Sequence, residues 1–202
     1  MTATNTPRTA GANGRLWGMR ARDWADLQEG GFRAGYVAAL EHAAVGAGTR
    51  YLDAGCGSGM AAALAADRGA QVTGIDASDS LLQIARDRVP QGAFQTGDLE
   101  DLPFGDDSFD VVVGFNSFQY AGNPGAALAQ ARRVTAPSGT VVIMTWGEPD
   151  GMEAAAIVGA LKPLLLPPPP GAPGPFALSD EARLRAFAAE AGLTPLEVVD
   201  VS

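Results

Sequence analysis

Tyr51-Leu52-Asp53-Ala54-Gly55-Cys56-Gly57-Ser58-Gly59 is the stretch on which the fold of this chain turns. Arg50–Ala54 predicts a short strand, and Met60–Arg68 predicts a small-residue helix that Gly69 ends. Between them, Gly55, Gly57 and Gly59 remove three Cβ atoms where the chain must turn sharply, so a ligand can approach the backbone. Asp76 follows the next predicted strand, Gln71–Ile75. A carboxylate at that strand end can accept hydrogen bonds from both hydroxyls of a ribose. In open parallel sheets ligands bind beyond the carboxyl ends of the strands, and both features sit at such ends.

Downstream the alternation continues. Ser78 is a good N-cap for a helix to Arg88, which stops before Pro90. Ala93–Thr96 and Phe109–Phe115 read as strands, the second carrying the buried run Val111-Val112-Val113. Asn123-Pro124 opens a helix to about Thr135, and Pro137-Ser138-Gly139 is a turn into a fifth strand, Thr140–Trp146. Residues 163–176 form a proline-rich loop. Ser179-Asp180-Glu181 starts a helix to Ala191 that Gly192 stops, and Leu196–Val201 is a sixth strand candidate. Upstream, a helix is predicted over Asp23–Ala47, with the stripe Phe32, Tyr36, Leu40 and Ala43 and with Gly46 and Gly48 closing it. Residues 1–14 read as a disordered tail. Strands alternating with helices at this spacing imply an α/β, doubly wound, Rossmann-like, mostly parallel sheet with helices on both faces, in one domain over 15–202.

The chain has 202 residues and a formal net charge of −9. That balance argues against a nucleic-acid partner, which calls for a clustered basic face, and against docking on anionic lipid. Arg15, Arg20 and Arg22 lie beside Asp23 and Asp26 and read as solvated surface. With one cysteine, Cys56, a disulfide within the chain is impossible. A reducing, cytoplasmic setting is expected. No stretch approaches the roughly 18 apolar residues that cross a bilayer, and no secretory signal is visible.

A nicotinamide dinucleotide and S-adenosylmethionine can both use a glycine turn followed by a strand-end acid. Their spacing separates them. A dinucleotide fingerprint wants G-x-G-x-x-G, whereas the third position after Gly57 is Met60 and the glycine stands at Gly59. Asp53 also precedes the turn, where a pyrophosphate would be repelled. S-adenosylmethionine carries an ammonium and a sulfonium that Asp53 favours, directly or through water.

Asp53-x-Gly55-x-Gly57-x-Gly59 resembles the first motif of class I S-adenosylmethionine-dependent methyltransferases, and Val72-Thr73-Gly74-Ile75-Asp76 resembles the second. Gly97-Asp98-Leu99-Glu100-Asp101-Leu102-Pro103-Phe104 and Ser108-Phe109-Asp110-Val111-Val112 look like the third and fourth. The nearest flavour is the small-molecule type 11 branch, similar to ubiquinone and menaquinone biosynthesis methyltransferases. This resemblance implies S-adenosylmethionine as cofactor and a small-molecule acceptor. Gly55, Cys56, Gly57 and Gly59 would line its methionine portion, with Asp53 beneath. Asp76, with Ala77 beside it, would hold the ribose. Asp98 would accept from the adenine amino group with the Leu99 N–H nearby, and Phe115 and Asn116 would lie beside the sulfonium. The family's fold has seven strands. The C-terminal strand or strands therefore look missing here, by truncation or by donation from another copy. Truncation is favoured, with lowered stability or homodimerisation expected.

Chemistry at a sulfonium needs alignment with a nucleophile and exclusion of water more than a dedicated base. No catalytic base stands out, and no metal-ligand set is expected. The sole histidine, His42, reads as surface or structural, and Cys56 as a small packing residue. Phe115-Asn116-Ser117-Phe118 is not the Asn/Asp-Pro-Pro-aromatic motif of amino-directed methyltransferases. Trp24, Tyr36, Phe118 and Tyr120, with Trp17 and Phe176, are candidate walls of an acceptor pocket, several of them alternatively core. Two alternatives remain, a catalytically weak or inactive binding or scaffold domain and a nicotinamide-dependent oxidoreductase, the latter disfavoured by the glycine spacing.

Overall fold

In the computed structural model, residues 8–149, 159–160 and 175–201 are described. Five strands form one parallel sheet: β1 (Arg50–Ala54), β2 (Gln71–Asp76), β3 (Ala93–Thr96), β4 (Phe109–Phe115) and β5 (Thr135–Met144), in the order β3-β2-β1-β4-β5. The order reverses between β1 and β4, which opens a crevice at their carboxyl ends.

Alternation along β1 and β4 divides the core into two layers. Leu52, Ala54 and Val112 face one side and pack with Leu128 and Ala131 of α6 (Pro124–Val134) and, at the margin, Phe187 of α7 (Glu181–Glu190). Tyr51, Val111 and Val113 face the other side. They pack with Tyr36 and Leu40 of α3 (Arg33–His42) and the alanines of α4 (Met60–Asp67). Beside α4 lies α5 (Asp79–Arg88), capped by the Ser78 hydroxyl, which accepts from the Leu81 N–H at 3.3 Å. Helices cover both faces, as the alternation requires.

Several sequence expectations are corrected. Positions 1–7 of the expected tail lie outside the described residues, but 10–14 belong to α1 (Ala10–Gly18). The single helix expected over Asp23–Ala47 is broken. A short α2 (Ala21–Asp23) runs into a π turn at Trp24–Gln28 and a 3-10 turn at Glu29–Phe32 before α3 begins. The break coincides with Gly30 and Gly31, which have no side chain to hold a helical face. It turns Glu29 inward, to 2 % exposure. The expected turn at Pro137-Ser138-Gly139 is a bulge inside β5: Phe109 pairs with Thr135, and pairing resumes at Val111 with Thr140.

Leu196–Val201 is not a strand, and Leu196, Val199 and Val201 are exposed. Its alternating pattern has no ladder partner among the described residues. The proline-rich loop falls outside the described residues over 163–174. None of the helices described is long and apolar enough to cross a membrane.

Candidate functional site

Beyond the carboxyl ends of β1, β2 and β4 lies a cleft of about 240 Å³. It is lined by Gly55, Gly57, Asp76, Ala77, Asp98, Leu99, Phe115 and Asn116, and by Trp17, Trp24, Tyr36 and Tyr120. Most of the expected site residues therefore meet in one place.

The glycine turn explains itself residue by residue. All three glycines have positive φ: +85° at Gly55, +54° at Gly57 and +82° at Gly59. Their surroundings differ. A Cβ on Gly55 would stand 2.4 Å from the Ser117 Cβ, and one on Gly59 2.8 Å from the Ala85 Cβ, so these two permit close packing of protein on protein. At Gly57 it would meet only the Trp24 indole nitrogen, at 3.8 Å. Gly57 is thus the position whose bareness opens onto the cleft, and Gly59 does not line it. Asn116 also has a positive φ, +49°, at the end of β4. Asparagine tolerates that strained conformation better than most residues, and such strain gathers at functional sites.

Asp76 locks this arrangement. The Gly57 N–H donates to its Oδ2 at 2.9 Å and the Ser78 N–H to its Oδ1 at 2.8 Å. Burial raises its pKa, and the Ser78, Gly57 and Ala77 N–H groups oppose that rise. These donors do not exhaust the four lone pairs of the carboxylate, which leaves acceptor capacity for a ligand hydroxyl. Asp98 accepts from the Glu100 N–H at 2.9 Å through Oδ1, while Arg8 donates to its Oδ2 at 3.4 Å.

Behind the turn, Asp53 is 1 % exposed, and its Oδ2 has no hydrogen-bond partner. Burial pushes its pKa up to about 8, with Asp76 and Glu29 adding to the rise. The Cys56 thiol is buried and raised too, first by burial and then by Asp53 and Asp76, which leaves it an inert neutral group. Neither Asp53 nor Cys56 lines the cleft. Ser117 does line it, while its Oγ is buried and has no hydrogen-bond partner among the described residues.

Glu29 fills a place that sequence reasoning missed. Its Oε1 accepts from the Met60 N–H at 3.2 Å, at the start of α4, and its Oε2 is ion-paired with Arg88. Arg88 also donates to the Ser58 carbonyl at 2.9 Å. A helix N-terminus beside a glycine turn is where a dinucleotide's pyrophosphate would sit, and here the protein's own carboxylate occupies it.

Phe118 is corrected: it is 1 % exposed in the core, its ring lying where a Cβ on Gly114 would stand 2.1 Å away. Phe176 does not line the cleft either. The lining also includes Thr9, Asn13, Gln28 and Trp146, none of them expected there, and Phe32 and Gly97, which the sequence placed only in a helix stripe and in the third motif. Trp146 had a signal, an aromatic directly after a strand end. Thr9 and Asn13 lie in a low-complexity stretch with none.

The residues present suit S-adenosylmethionine. An unpartnered buried carboxylate lies under the turn, Gly57 is bare, Asp76 and Asp98 have spare acceptor capacity, and no Lys or Arg is among the described lining.

Residues 52–143 match the family model described as a methyltransferase domain. The chain is 38 % identical over 128 residues to a malonyl-[acyl-carrier protein] O-methyltransferase of Erwinia pyrifoliae, covering 62 % of this chain and 49 % of that one. It is 38 % identical over 108 residues to a demethylmenaquinone methyltransferase of Renibacterium salmoninarum, covering 52 % and 46 %. The chain thus spans about half the length of these curated relatives. A SAM-dependent methyltransferase from Aquifex aeolicus shares the fold, with a TM-score of 0.69 at 17 % identity over 91 % of this chain and 92 % of that one. The [4+2]-cyclase SpnF aligns at 30 % identity and a TM-score of 0.52, over 55 % of this chain and 44 % of its own.

Proposed function

We propose that this chain, whose residues 52–143 match a methyltransferase-domain model, is an S-adenosylmethionine-dependent methyltransferase that moves a methyl group from S-adenosylmethionine to a small-molecule acceptor by in-line displacement. The observation that carries this is the pairing of a bare, left-handed Gly57 with the Asp76 carboxylate that accepts its N–H.

When bound, the cofactor supplies a methyl on a positive sulfur: the acceptor's lone pair bonds the methyl carbon, and the broken carbon–sulfur pair stays on sulfur, giving S-adenosylhomocysteine. The chain's own residues would bind and orient. Asp76 would accept from the ribose hydroxyls through the lone pairs left free by Gly57 and Ser78. Asp98 and the Leu99 N–H would take the adenine edge, with Arg8 giving way. Asp53 would lie toward the ammonium, whose charge lowers the cost of ionising that carboxyl. Phe115 and Asn116 would flank the methyl, and α1 with Trp17 would exclude water. Asp76 and Asp98 would both be engaged by the cofactor, so neither is left to take the acceptor's proton.

Calorimetric titration with S-adenosylmethionine, S-adenosylhomocysteine and NAD tests the reading, followed by an acceptor screen with mass detection of methylated product. Binding of the two adenosyl compounds, with NAD silent, is expected. NAD binding in place of the sulfonium compound overturns it.

A further inference from the structure

Residues 8–18 lie across the cleft and touch three loops, each beyond the carboxyl end of a different strand. After β2, a Cβ on Gly14 would stand 2.2 Å from the Ala77 carbonyl oxygen and one on Gly18 2.9 Å from the Ser78 hydroxyl oxygen. Two glycines thus let α1 press against that loop. After β4, Thr9 and Asn13 both donate to the Tyr120 carbonyl. After β3, the Arg8 guanidinium donates to the Oδ2 atoms of Asp98 and Asp101, each at 3.4 Å. None of the α1 residues is buried, and its apolar hold is the half-buried Trp17. A few surface contacts, rather than a core, keep this strap in place.

The Arg8 contact differs from the others in kind. Asp98-Leu99-Glu100-Asp101 puts three carboxylates into four residues, and Arg8 is the cation that pairs with them among the described residues. The Arg8 side chain is 58 % exposed and that of Asp101 71 %, whereas that of Asp98 is 17 % exposed and lines the cleft. One guanidinium therefore ties a cleft carboxylate to a solvent-facing one. An ion pair this wet adds little to folding and is screened by salt, which suits a contact that must open and close. When an adenine amino group claims Asp98, Asp101 still offers Arg8 a partner.

We propose that Arg8 is an electrostatic latch: by bridging Asp98 and Asp101 it holds the 8–18 strap across the cleft, and its release sets how fast an adenosyl ligand enters and leaves. This rests on the methyl-transfer reading, which puts S-adenosyl compounds in that cleft. The latch governs access, because the guanidinium stands outside the lining.

Stopped-flow tryptophan fluorescence reads the release of S-adenosylhomocysteine, since Trp17, Trp24 and Trp146 line the cleft. Arg8→Gln is expected to speed release roughly two- to fivefold, the range of an exposed ion pair. Asp101→Asn should speed it by less, and the double variant should be no faster than Arg8→Gln, because both changes remove one contact. The ligand is net neutral at pH 7, so salt acts on the latch. Between about 20 and about 300 mM KCl, wild-type release should approach that of Arg8→Gln, whose own rate should hold within about 1.5-fold. Hydrogen exchange without ligand supplies a second readout: α1 amides should exchange roughly two- to fivefold faster in Arg8→Gln, with β1 and β4 unchanged. Release unaltered by Arg8→Gln, equal salt dependence in the two proteins, multiplying effects in the double variant or unaltered α1 exchange each overturns the latch. Failure of S-adenosylhomocysteine to bind the wild-type chain is read first and separately, and it removes the methyl-transfer reading.

Discussion

Asp76 does two things with one carboxylate: it accepts from Gly57 and Ser78, and it keeps lone pairs toward the cleft. Asp76→Ala is therefore expected to weaken S-adenosylhomocysteine binding at least tenfold, about 1.4 kcal/mol, in calorimetry. Two orphaned N–H groups should also lower stability by about 2 kcal/mol, read from the denaturant midpoint. Asp53 makes a different prediction. Its pKa in the fold is about 8 against an ordinary value of 3.8, so the native state holds a proton that the unfolded chain has released. Stability should fall as pH rises from about 4 to about 8 and then level off. Asp53→Asn should flatten that slope in urea titrations, and an unchanged slope would locate the titrating group elsewhere. An ammonium brought near would lower this pKa, so binding near pH 7 should release a proton, seen in buffers of differing ionisation enthalpy.

Two elements upstream of the sheet decide how the turn is held and covered. The break at Gly30 and Gly31 delivers Glu29 to Arg88 and to the start of α4. Glu29→Gln leaves Arg88 without its counter-charge and should cost about 3 kcal/mol of stability. A loss under about 0.5 kcal/mol would mean the aromatic contacts alone dock this segment. Over the cleft, α1 buries none of its residues. The Thr9 hydroxyl and the Asn13 side-chain amide both donate to the Tyr120 carbonyl, at 2.8 and 2.9 Å. A Cβ on Gly14 would stand 2.2 Å from the Ala77 carbonyl oxygen. Gly14→Val should push α1 off the cleft and speed S-adenosylhomocysteine release in stopped-flow tryptophan fluorescence. The unfolding midpoint should scarcely move, because little surface is lost.

At the scale of the whole molecule, the two core layers clamp β1 and β4 between α3–α4 and α6, so the crevice rests on the most buried strands. A ligand gripping that crevice stabilises everything beneath it. S-adenosylhomocysteine at about 100 times its dissociation constant should add about 2.7 kcal/mol to unfolding. The melting temperature should rise accordingly, while NAD at equal concentration should leave it unmoved, because Glu29 occupies the helix N-terminus a pyrophosphate would need.

Much of this was legible in the residues. The spans 50–54, 93–96 and 109–115 were readable as strands because apolar runs bounded by turn residues are local signals, and Asp76 because strand-end acids follow glycine turns at short range. The sequence by itself determined the order of elements, the doubly wound class and the glycine turn, since backbone preference and side-chain periodicity act over a few neighbours. Only the tertiary structure decided which faces meet across long separations. It brought α1 over the cleft, sent Phe118 beneath Gly114 and turned Glu29 inward. It left Leu196–Val201 without a ladder partner among the described residues and brought Trp17, Phe32 and Trp146 from separate segments to the cleft. Those outcomes depend on packing between segments far apart in the chain, and no local pattern encodes which of several apolar faces will find its partner.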